Sequence, residues 1–213
     1  WHPLAGFGGL ARRVEGLAYG PTELNPDVRR ACGVGAVIAL LVPVTVAAWL
    51  LAAIPLLGLA VALGLLYLAI GARSLAEHAE AVAVALRAGD LPLARERVGR
   101  IVSRDTDDLD EEQISRATVE TVLENGCDAI FGALFWFVLG GAAGAVWYRL
   151  ANTLDAMWGY RTPRYRDFGW AAARLDDLLN WLPARLTALS YMAVGTKPAL
   201  AWRCWREQAL DWK

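Results

Sequence analysis

The feature that most constrains the fold is a run from Ala31 to Ala72 that contains no charged side chain. As one helix this run would be about 63 Å long, whereas the hydrocarbon core of a bilayer is only about 30 Å thick. The run is therefore predicted to fold back as a two-span hairpin, with the turn at Pro55 and Gly58. Pro43 falls inside the first span, where a membrane helix tolerates a kink. A buried hairpin in a large soluble protein is the alternative.

Composition supports the membrane interpretation. Hydrophobic residues make up 56% of the 213 residues, compared with about 45–50% in soluble domains. The formal net charge is -1, so no global field attracts nucleic acid. Charge is segregated into separate segments of the chain, and no segment alternates as a strand does. We expect one all-α, polytopic integral membrane domain over residues 1–213, with the lipid bilayer as its surroundings.

The polar segment 73–128 is predicted to form amphipathic helices at the cytoplasmic face. Ser74 to Arg87 and Leu91 to Val102 each show a helical pattern. A third helix opens with Asp110, Glu111 and Glu112, because the N-terminus of a helix favours acidic side chains. Seven arginines in this segment are consistent with a cytoplasmic position.

A second uncharged run covers residues 129–148 and contains the small residues of the 140–144 stretch. Such residues allow close packing against a neighbouring helix, in the same chain or in a homo-oligomer. Arginines flank the run on both sides, which conflicts with a simple crossing. We predict a re-entrant or spanning segment here. Residues 149–213 are predicted to hold polar helices with a last span between Leu178 and Trp202.

The acids Glu120, Glu124 and Asp128 are spaced i, i+4 and i+8 and so line one face of a helix. They lead directly into an apolar run, where ionised groups are costly and usually functional. Mg²⁺ favours oxygen ligands and bridges to phosphates, so the stripe is a candidate metal site. The alternative is a solvated acidic face paired with Arg116.

Arg149, Asn152 and Asp155 follow at three-residue steps along the end of the second apolar run. Arginine with asparagine suits recognition of an anion or an amide. The alternative is a cap at the membrane interface, with an aromatic belt made of Trp147, Tyr148, Trp158 and Tyr160.

Two further groups carry polar side chains next to apolar sequence. Asp176 and Asn180 share a helix face, and Pro183 is expected to kink or restart the helix just before Arg185. The turn from Ser103 to Thr106 could bind an anion, or could simply cap a helix.

Other chemistries find little support. The chain has no phosphate-loop motif, no dinucleotide fingerprint and no HExxH motif. Its three cysteines form no CxxC pair. His2 and His78 are isolated and are interpreted as structural or interfacial residues. Carboxylate, amide and arginine chemistry remains, which suits a magnesium–phosphate reaction.

Several longer motifs occur in one order along the chain. They are HPL near the start, RSLAEHA at 73–79, SRDTDDLDEE at 103–112, ETVLENGCDAI at 120–130, LFWFVLGGAAGAVWYRLANTLDAMWGYR at 134–161 and YRDFGWAAARLDDLLNWLPARLTAL at 165–189. On these motifs the chain resembles the adenosylcobinamide-phosphate synthases of the CbiB/CobD family, over nearly its whole length. Gly132-Ala133 stands where that family commonly has a proline. The family's N-terminal lead-in and its C-terminal Ser-Pro-Asn-Ala-Gly region are expected to lie outside this sequence.

The resemblance implies a reaction of cobalamin biosynthesis. In it, (R)-1-amino-2-propanol phosphate, or free aminopropanol, is joined by an amide bond to adenosylcobyric acid, with ATP as co-substrate and Mg²⁺ as cofactor. It implies a multi-pass protein of the bacterial inner membrane with a cytoplasmic active face. Other cobalamin-pathway enzymes are expected partners.

The catalytic candidates on this basis are Glu120, Glu124, Asp128 and Asp155, of which the first three are the candidate Mg²⁺ ligands. The candidates for binding phosphate or substrate are Arg104, Asp105, Thr106, Asn125, Arg149, Asn152, Asp176, Asp177, Asn180 and Arg185. Two other functions stay open: a non-catalytic AmpE-like membrane sensor or scaffold, and a small transporter for a corrinoid or an amine.

Overall fold

The computed structural model describes residues 3–21, 24–102 and 104–208, and within these ranges the chain is helical and has no strand. This confirms the predicted all-α fold. His2 and Ser103 lie outside the described residues. In chain order the helices are α1 (Pro3–Ala18), α2 (Pro26–Ala52), α3 (Gly58–Ala69), α4 (Ala72–Arg87), α5 (Leu91–Gly99), α6 (Glu111–Gly126), a π-helical turn (Cys127–Phe131), α7 (Gly132–Trp158), α8 (Tyr165–Phe168), α9 (Trp170–Val194) and α10 (Pro198–Gln208).

Local sequence explains where two of these helices begin. Asn25 caps α2 by accepting a hydrogen bond from the backbone N–H of Asp27 at 2.9 Å, and Pro26 supplies the fixed φ that suits a first helical residue. Asp110 and Gln113 form a reciprocal capping box at the start of α6. The predicted start of the third polar helix is therefore confirmed.

Helices α2 and α3 form the hairpin that the uncharged run predicted, and the turn covers residues 53–57. Gly58 is needed there because a side chain at this position would collide with the backbone carbonyl of Ala52. Pro43 lies inside α2. Ile38 and Trp49 project outward and are exposed, as side chains that face lipid would be. The interpretation of α3 as a second full span stays a prediction, because this helix rises only about 18 Å.

Two helical runs, Pro26–Ala52 and Glu111–Trp158, are long and apolar enough to cross a membrane, but the second run is not straight. It reverses at Gly141, where φ is 59° and ψ is -150°, a backbone conformation that is essentially restricted to glycine. The two arms pack closely after the turn: a side chain on Gly144 would collide with the carbonyl of Trp136, and one on Gly132 would collide with the ring of Tyr148.

The length of these arms limits how deeply the α7 hairpin can enter a bilayer. The uncharged first arm, residues 129–140, rises about 18 Å, well short of the roughly 30 Å hydrocarbon core. The small residues that predicted a packing surface serve the turn and the contact between the arms. The geometry is thus that of a segment that enters and leaves on one side, and its placement in the membrane stays a prediction.

The described residues bury two hydrophobic clusters. The larger one joins α1, α2, α3, α7, α8 and α9 around Leu41, Leu154 and Phe168. The smaller one joins α4, α5 and α6 around Val82, Val98 and Ile114. The polar segment 73–128 therefore forms a small helical unit of its own, attached to the apolar bundle through Gly71 and the π-helical turn.

A buried acid ties α1 to the rest of the bundle. Glu15 accepts two hydrogen bonds from Arg164, at 2.6 and 2.8 Å, and one from the hydroxyl of Tyr165 at 3.2 Å. Its second oxygen accepts from the indole N–H of Trp158 at 3.2 Å. Trp158 is fully buried, so the alternative that placed this residue in an interfacial aromatic belt is wrong.

Candidate active site

An open cavity of about 630 Å³ lies where the polar helical unit meets the apolar bundle. Its lining residues come from α1, α3, α4, α6, the π-helical turn and α7, and from the residues that directly follow α5. Its polar and charged lining residues are His78, Arg100, Asn125, Asp128, Arg149 and Asn152. Asn125, Asp128, Arg149 and Asn152 were all predicted from the sequence, and the structure brings them together.

Arg149 is the cation at the centre of this cavity wall. Its Nη1 donates to Oδ1 of Asn152 at 3.4 Å, whereas its Nε is buried and has no hydrogen-bond partner among the described residues. Gly71 permits this position: the guanidinium Nη2 would lie only 3.3 Å from a side-chain carbon on that glycine, whose backbone N–H donates to the carbonyl of Ala129. A buried donor without a partner costs free energy. Such a donor beside a cavity is typical of a group that binds a ligand.

Behind Arg149, asparagine and aspartate side chains form a hydrogen-bonded network between α7 and α9. Asn152 Nδ2 donates to one oxygen of Asp176 at 3.3 Å, and Asn180 Nδ2 donates to the other at 3.0 Å. Burial raises the pKa of Asp176, and the two asparagine donors partly oppose that rise. The hydroxyl of Tyr148 donates to Oδ1 of Asn180 at 2.6 Å, and this completes the network.

Asp128 lies at the front of the same network, on the π-helical turn. Its carboxylate is close to those of Asp176 and Glu124, with Asn152 and Arg149 also beside it. The turn inserts extra backbone into the end of α6 and so aims Asp128 at the cavity, as π-helical turns often do at functional sites. The predicted neighbourhood of Glu124 and Asp128 is retained.

Glu120, the first acid of the stripe, has different neighbours. It forms ion pairs with Arg116 at 2.9 Å and with Arg104 at 3.6 Å, so the alternative of an acidic face paired with arginine describes this residue. With Arg104, Glu124 and Asn125 it lines an adjoining cleft of about 470 Å³. In the described part of the chain, no three His, Cys, Asp or Glu residues are grouped closely enough to hold a metal ion by themselves.

Asp155 and Asp177 lie apart from the cavity. They line a separate cleft of about 290 Å³ with Arg161, Arg166 and Arg174. Arg174 donates to Asp177 at 2.9 Å. The structure therefore does not bring Asp155 together with Arg149 and Asn152.

Three other predicted residues have local structural partners. Asp105 accepts a hydrogen bond from the backbone of Asp107, and the buried Thr106 hydroxyl donates to the carbonyl of Arg95. Arg185 donates to the carbonyl of Trp181 and stacks on the Trp181 ring. Pro183, expected to kink or restart the helix before Arg185, lies inside the continuous helix α9.

The sequence interpretation missed several residues around the cavity. Tyr148 was named only in the alternative of an aromatic belt, but it is fully buried and part of the network. His78, Arg100 and Leu75 line the cavity. His78 and Leu75 belong to the RSLAEHA motif, and this motif was the available signal; nothing in the pattern distinguished Arg100 from its neighbouring arginines.

Comparison with known proteins gives a consistent result. The chain is 62% identical to the cobalamin biosynthesis protein CobD of Chromobacterium violaceum, over 100% of this chain and 68% of that protein. It is 56% identical to the CobD protein of Stutzerimonas stutzeri (99% and 68%) and 40% identical to that of Rhodobacter capsulatus (89% and 60%).

No solved structure matches the chain. The family model described as CobD/Cbib protein matches residues 1–213 in full. The chain therefore belongs to the CobD/CbiB protein family.

Proposed function

We propose that this chain catalyses the amide-forming step that its resemblance implies. A carboxylate of adenosylcobyric acid is joined to aminopropanol phosphate, or to free aminopropanol, with ATP as the source of activation. Membership of the CobD/CbiB family supports a role in cobalamin biosynthesis. Beyond this role, we propose the substrates, the use of ATP and Mg²⁺, and the cytoplasmic orientation.

The observation that carries the proposal is the half-buried Arg149 guanidinium, which has an unused donor. A charge removed from water is stable only when it is paired and hydrogen-bonded, yet the buried Nε of Arg149 has no partner among the described residues. The side-chain hydrogen bond that Arg149 makes to Asn152 is long, at 3.4 Å. A phosphate oxygen would accept strong, charge-assisted hydrogen bonds from such a group. Arg100 and His78 also line the cavity and would extend the site toward an anionic ligand.

The donors around Asp128 fit Mg²⁺. This ion is usually held by one or two carboxylates while phosphates and water complete its octahedron, so a cage of three protein acids is unnecessary. Asp128 would hold the ion, with the negative charge of Asp176 behind it and the amide oxygen of Asn125 nearby. Bound there, Mg²⁺ would neutralise phosphate charge.

The chain's own residues then have defined tasks. The substrate carboxylate takes a phosphoryl group from ATP, and the amine displaces phosphate from the acyl phosphate to form the amide. Arg149 holds the transferred phosphoryl group and stabilises the charge that develops on it. With one oxygen of Asp128 on the ion, its other oxygen would accept the proton that the ammonium group must lose before it attacks.

The site also suits a position at the membrane face. Asp128 directly precedes the uncharged first arm of the hairpin, and Arg149 directly follows the uncharged part of the second arm, so a segment that enters and leaves on one side would place both residues at that side. We propose the cytoplasmic side, where ATP is available and where the positive-inside rule places the flanking arginines.

The test uses the purified full chain in detergent with ATP, Mg²⁺, adenosylcobyrate and aminopropanol phosphate. We expect formation of the amide and ADP, and loss of both in Asp128→Asn. The matched control is Asp108→Asn, which changes an exposed acid and should keep full activity. If no amide forms, but vesicles containing the protein take up the corrinoid or the amine, the chain is a transporter and the proposal is wrong.

A further inference from the structure

The hydroxyl of Tyr148 lies behind the cavity wall. Tyr148 is fully buried, and it is absent from the residues that line the cavity. A substrate in the cavity would not contact it. Any effect of this hydroxyl on the reaction must therefore pass through the residues to which it is bonded.

Those bonds define one orientation for each asparagine amide. Asn180 accepts from the Tyr148 hydroxyl at 2.6 Å and donates to Asp176 at 3.0 Å. If this amide were rotated by 180°, its carbonyl oxygen would face the Asp176 carboxylate, and two acceptors would oppose each other. The short bond from Tyr148 favours the orientation in which Asp176 receives a donor.

The same reasoning reaches Arg149 through Asn152. Asp176 accepts from Asn152 Nδ2 at 3.3 Å, so the carbonyl oxygen of Asn152 is directed toward Arg149 Nη1 at 3.4 Å. This bond holds one edge of the guanidinium to the wall and leaves Nε without a partner in the described part of the chain. Tyr148, Asn180, Asp176, Asn152 and Arg149 thus form one chain of hydrogen bonds, in which each amide has its donor and its acceptor side fixed.

The hairpin of α7 sets the start of this chain. Gly132 on the first arm lies against the Tyr148 ring on the second arm, where any side chain would collide with the ring. The ring is rigid and buried, so it cannot yield as the end of a flexible side chain would. The close approach of the arms therefore determines where the Tyr148 hydroxyl lies.

We propose that Tyr148 is a positioning residue for the anion-binding arginine: the α7 hairpin places its hydroxyl so that Asn180, Asp176 and Asn152 hold Arg149 toward the phosphate. The expected effect of Tyr148 on the reaction rate rests on the proposed function. Its expected effect on anion affinity does not.

The test compares Tyr148→Phe, which keeps the ring and removes the hydroxyl, with Tyr191→Phe. Tyr191 is on α9, the helix that carries Asn180; its ring packs edge-on against Phe131, and its hydroxyl is not part of the network. Mutation of residues that orient metal ligands typically costs 10- to 100-fold in affinity or activity, and we expect a loss of the same order where the oriented group is an arginine. For Tyr148→Phe we expect kcat to fall about 10-fold while KM for the amine changes less than about 2-fold. Tyr191→Phe should match the wild type.

A binding measurement separates this inference from the proposed function. Inorganic tripolyphosphate, titrated calorimetrically into the Mg²⁺-free full chain, should bind about 10-fold more weakly to Tyr148→Phe than to Tyr191→Phe. If no variant forms the amide but this difference is present, the proposed function fails and the positioning role stands. Equal tripolyphosphate affinity in the two folded variants overturns the positioning role, whatever the ligase assay gives. Gly132→Ala, which must displace the ring, should reproduce the loss.

Discussion

Two charged side chains, the buried Glu15 and the half-buried Arg149, are treated very differently by this fold. Both oxygens of Glu15 are engaged, by Arg164, Tyr165 and Trp158. Among the described residues, Arg149 has one long side-chain hydrogen bond, and its buried Nε has no partner. A charged group whose hydrogen bonds are all made within the protein holds helices together. A charged group beside a cavity that still has an unused donor can bind a ligand. The first is expected to matter for stability and the second for function.

The largest expected effect comes from removing the unsatisfied charge. Arg149→Met keeps most of the length of the side chain but has no donor for a phosphate, and we expect the rate of amide formation to fall by about 100-fold or more. Thermal stability in detergent should be unchanged or higher, because a half-buried and poorly paired charge is removed. Arg185→Met, at an arginine that stacks on Trp181, is the matched control. A clear loss of stability in Arg149→Met would show that this arginine, like Glu15, mainly stabilises the fold.

Removing the satisfied charge should have the opposite profile. Glu15→Gln weakens the hydrogen bonds from Arg164 and leaves one amide N–H facing donors, so we expect a loss of about 2 kcal/mol in the free energy of unfolding. Below the unfolding temperature, activity per folded molecule should stay close to that of the wild type. Chemical denaturation in detergent measures the first quantity and the ligase assay measures the second.

Glu80→Gln is the control for this variant, since Glu80 pairs with Arg87 at 3.4 Å on the surface. Exposed pairs contribute about 0–1 kcal/mol. If Glu15→Gln is no more destabilised than Glu80→Gln, the cluster around Glu15 does not hold α1 in place.

A pH series tests Asp176, the half-buried carboxylate of the network. Because burial raises the pKa of Asp176, the native state holds this proton more tightly than the unfolded state does. Stability contributed by the protonated group is therefore lost as the pH rises from the unfolded-state pKa through the raised native pKa. In metal-free buffer, Asp176→Asn should lack this loss, so the melting temperature of the wild type should decline relative to the variant as the pH rises. A relative gain for the wild type would show that its asparagine donors outweigh burial.

Much of this arrangement was predictable from helical geometry, and the exceptions follow from the same geometry. Asp176 and Asn180 are four residues apart and share a face, as predicted. Asp155, in contrast, is six residues beyond Arg149. At about 100° per residue, this spacing places it roughly 120° around the helix, and it lines the other cleft.

Other features depend on contacts that no local pattern records. The turn at Pro55 and Gly58 and the start of α6 at Asp110 are encoded within a few residues, so the sequence predicted them. The hydrogen bond from Tyr148 to Asn180 joins residues far apart in the chain. The π-helical turn that aims Asp128 is not visible in a pattern of acids at four-residue spacing. The sequence thus predicted which types of residue form the site, but it did not predict which of them line which cleft.

The smallest expected effect concerns Glu120. This acid is expected to matter little for either stability or function, because it is half-exposed and already paired with Arg104 and Arg116. We expect Glu120→Gln to change the ligase rate by less than about 3-fold and the free energy of unfolding by less than about 1 kcal/mol, as for other exposed ion pairs. The informative measurement is the Mg²⁺ dependence of the rate. If Asp128 holds the ion without help from the rest of the acidic stripe, the Mg²⁺ concentration at half-maximal rate should be the same in Glu120→Gln and the wild type. A rise of 10-fold or more would return Glu120 to the metal site and move that site into the adjoining cleft.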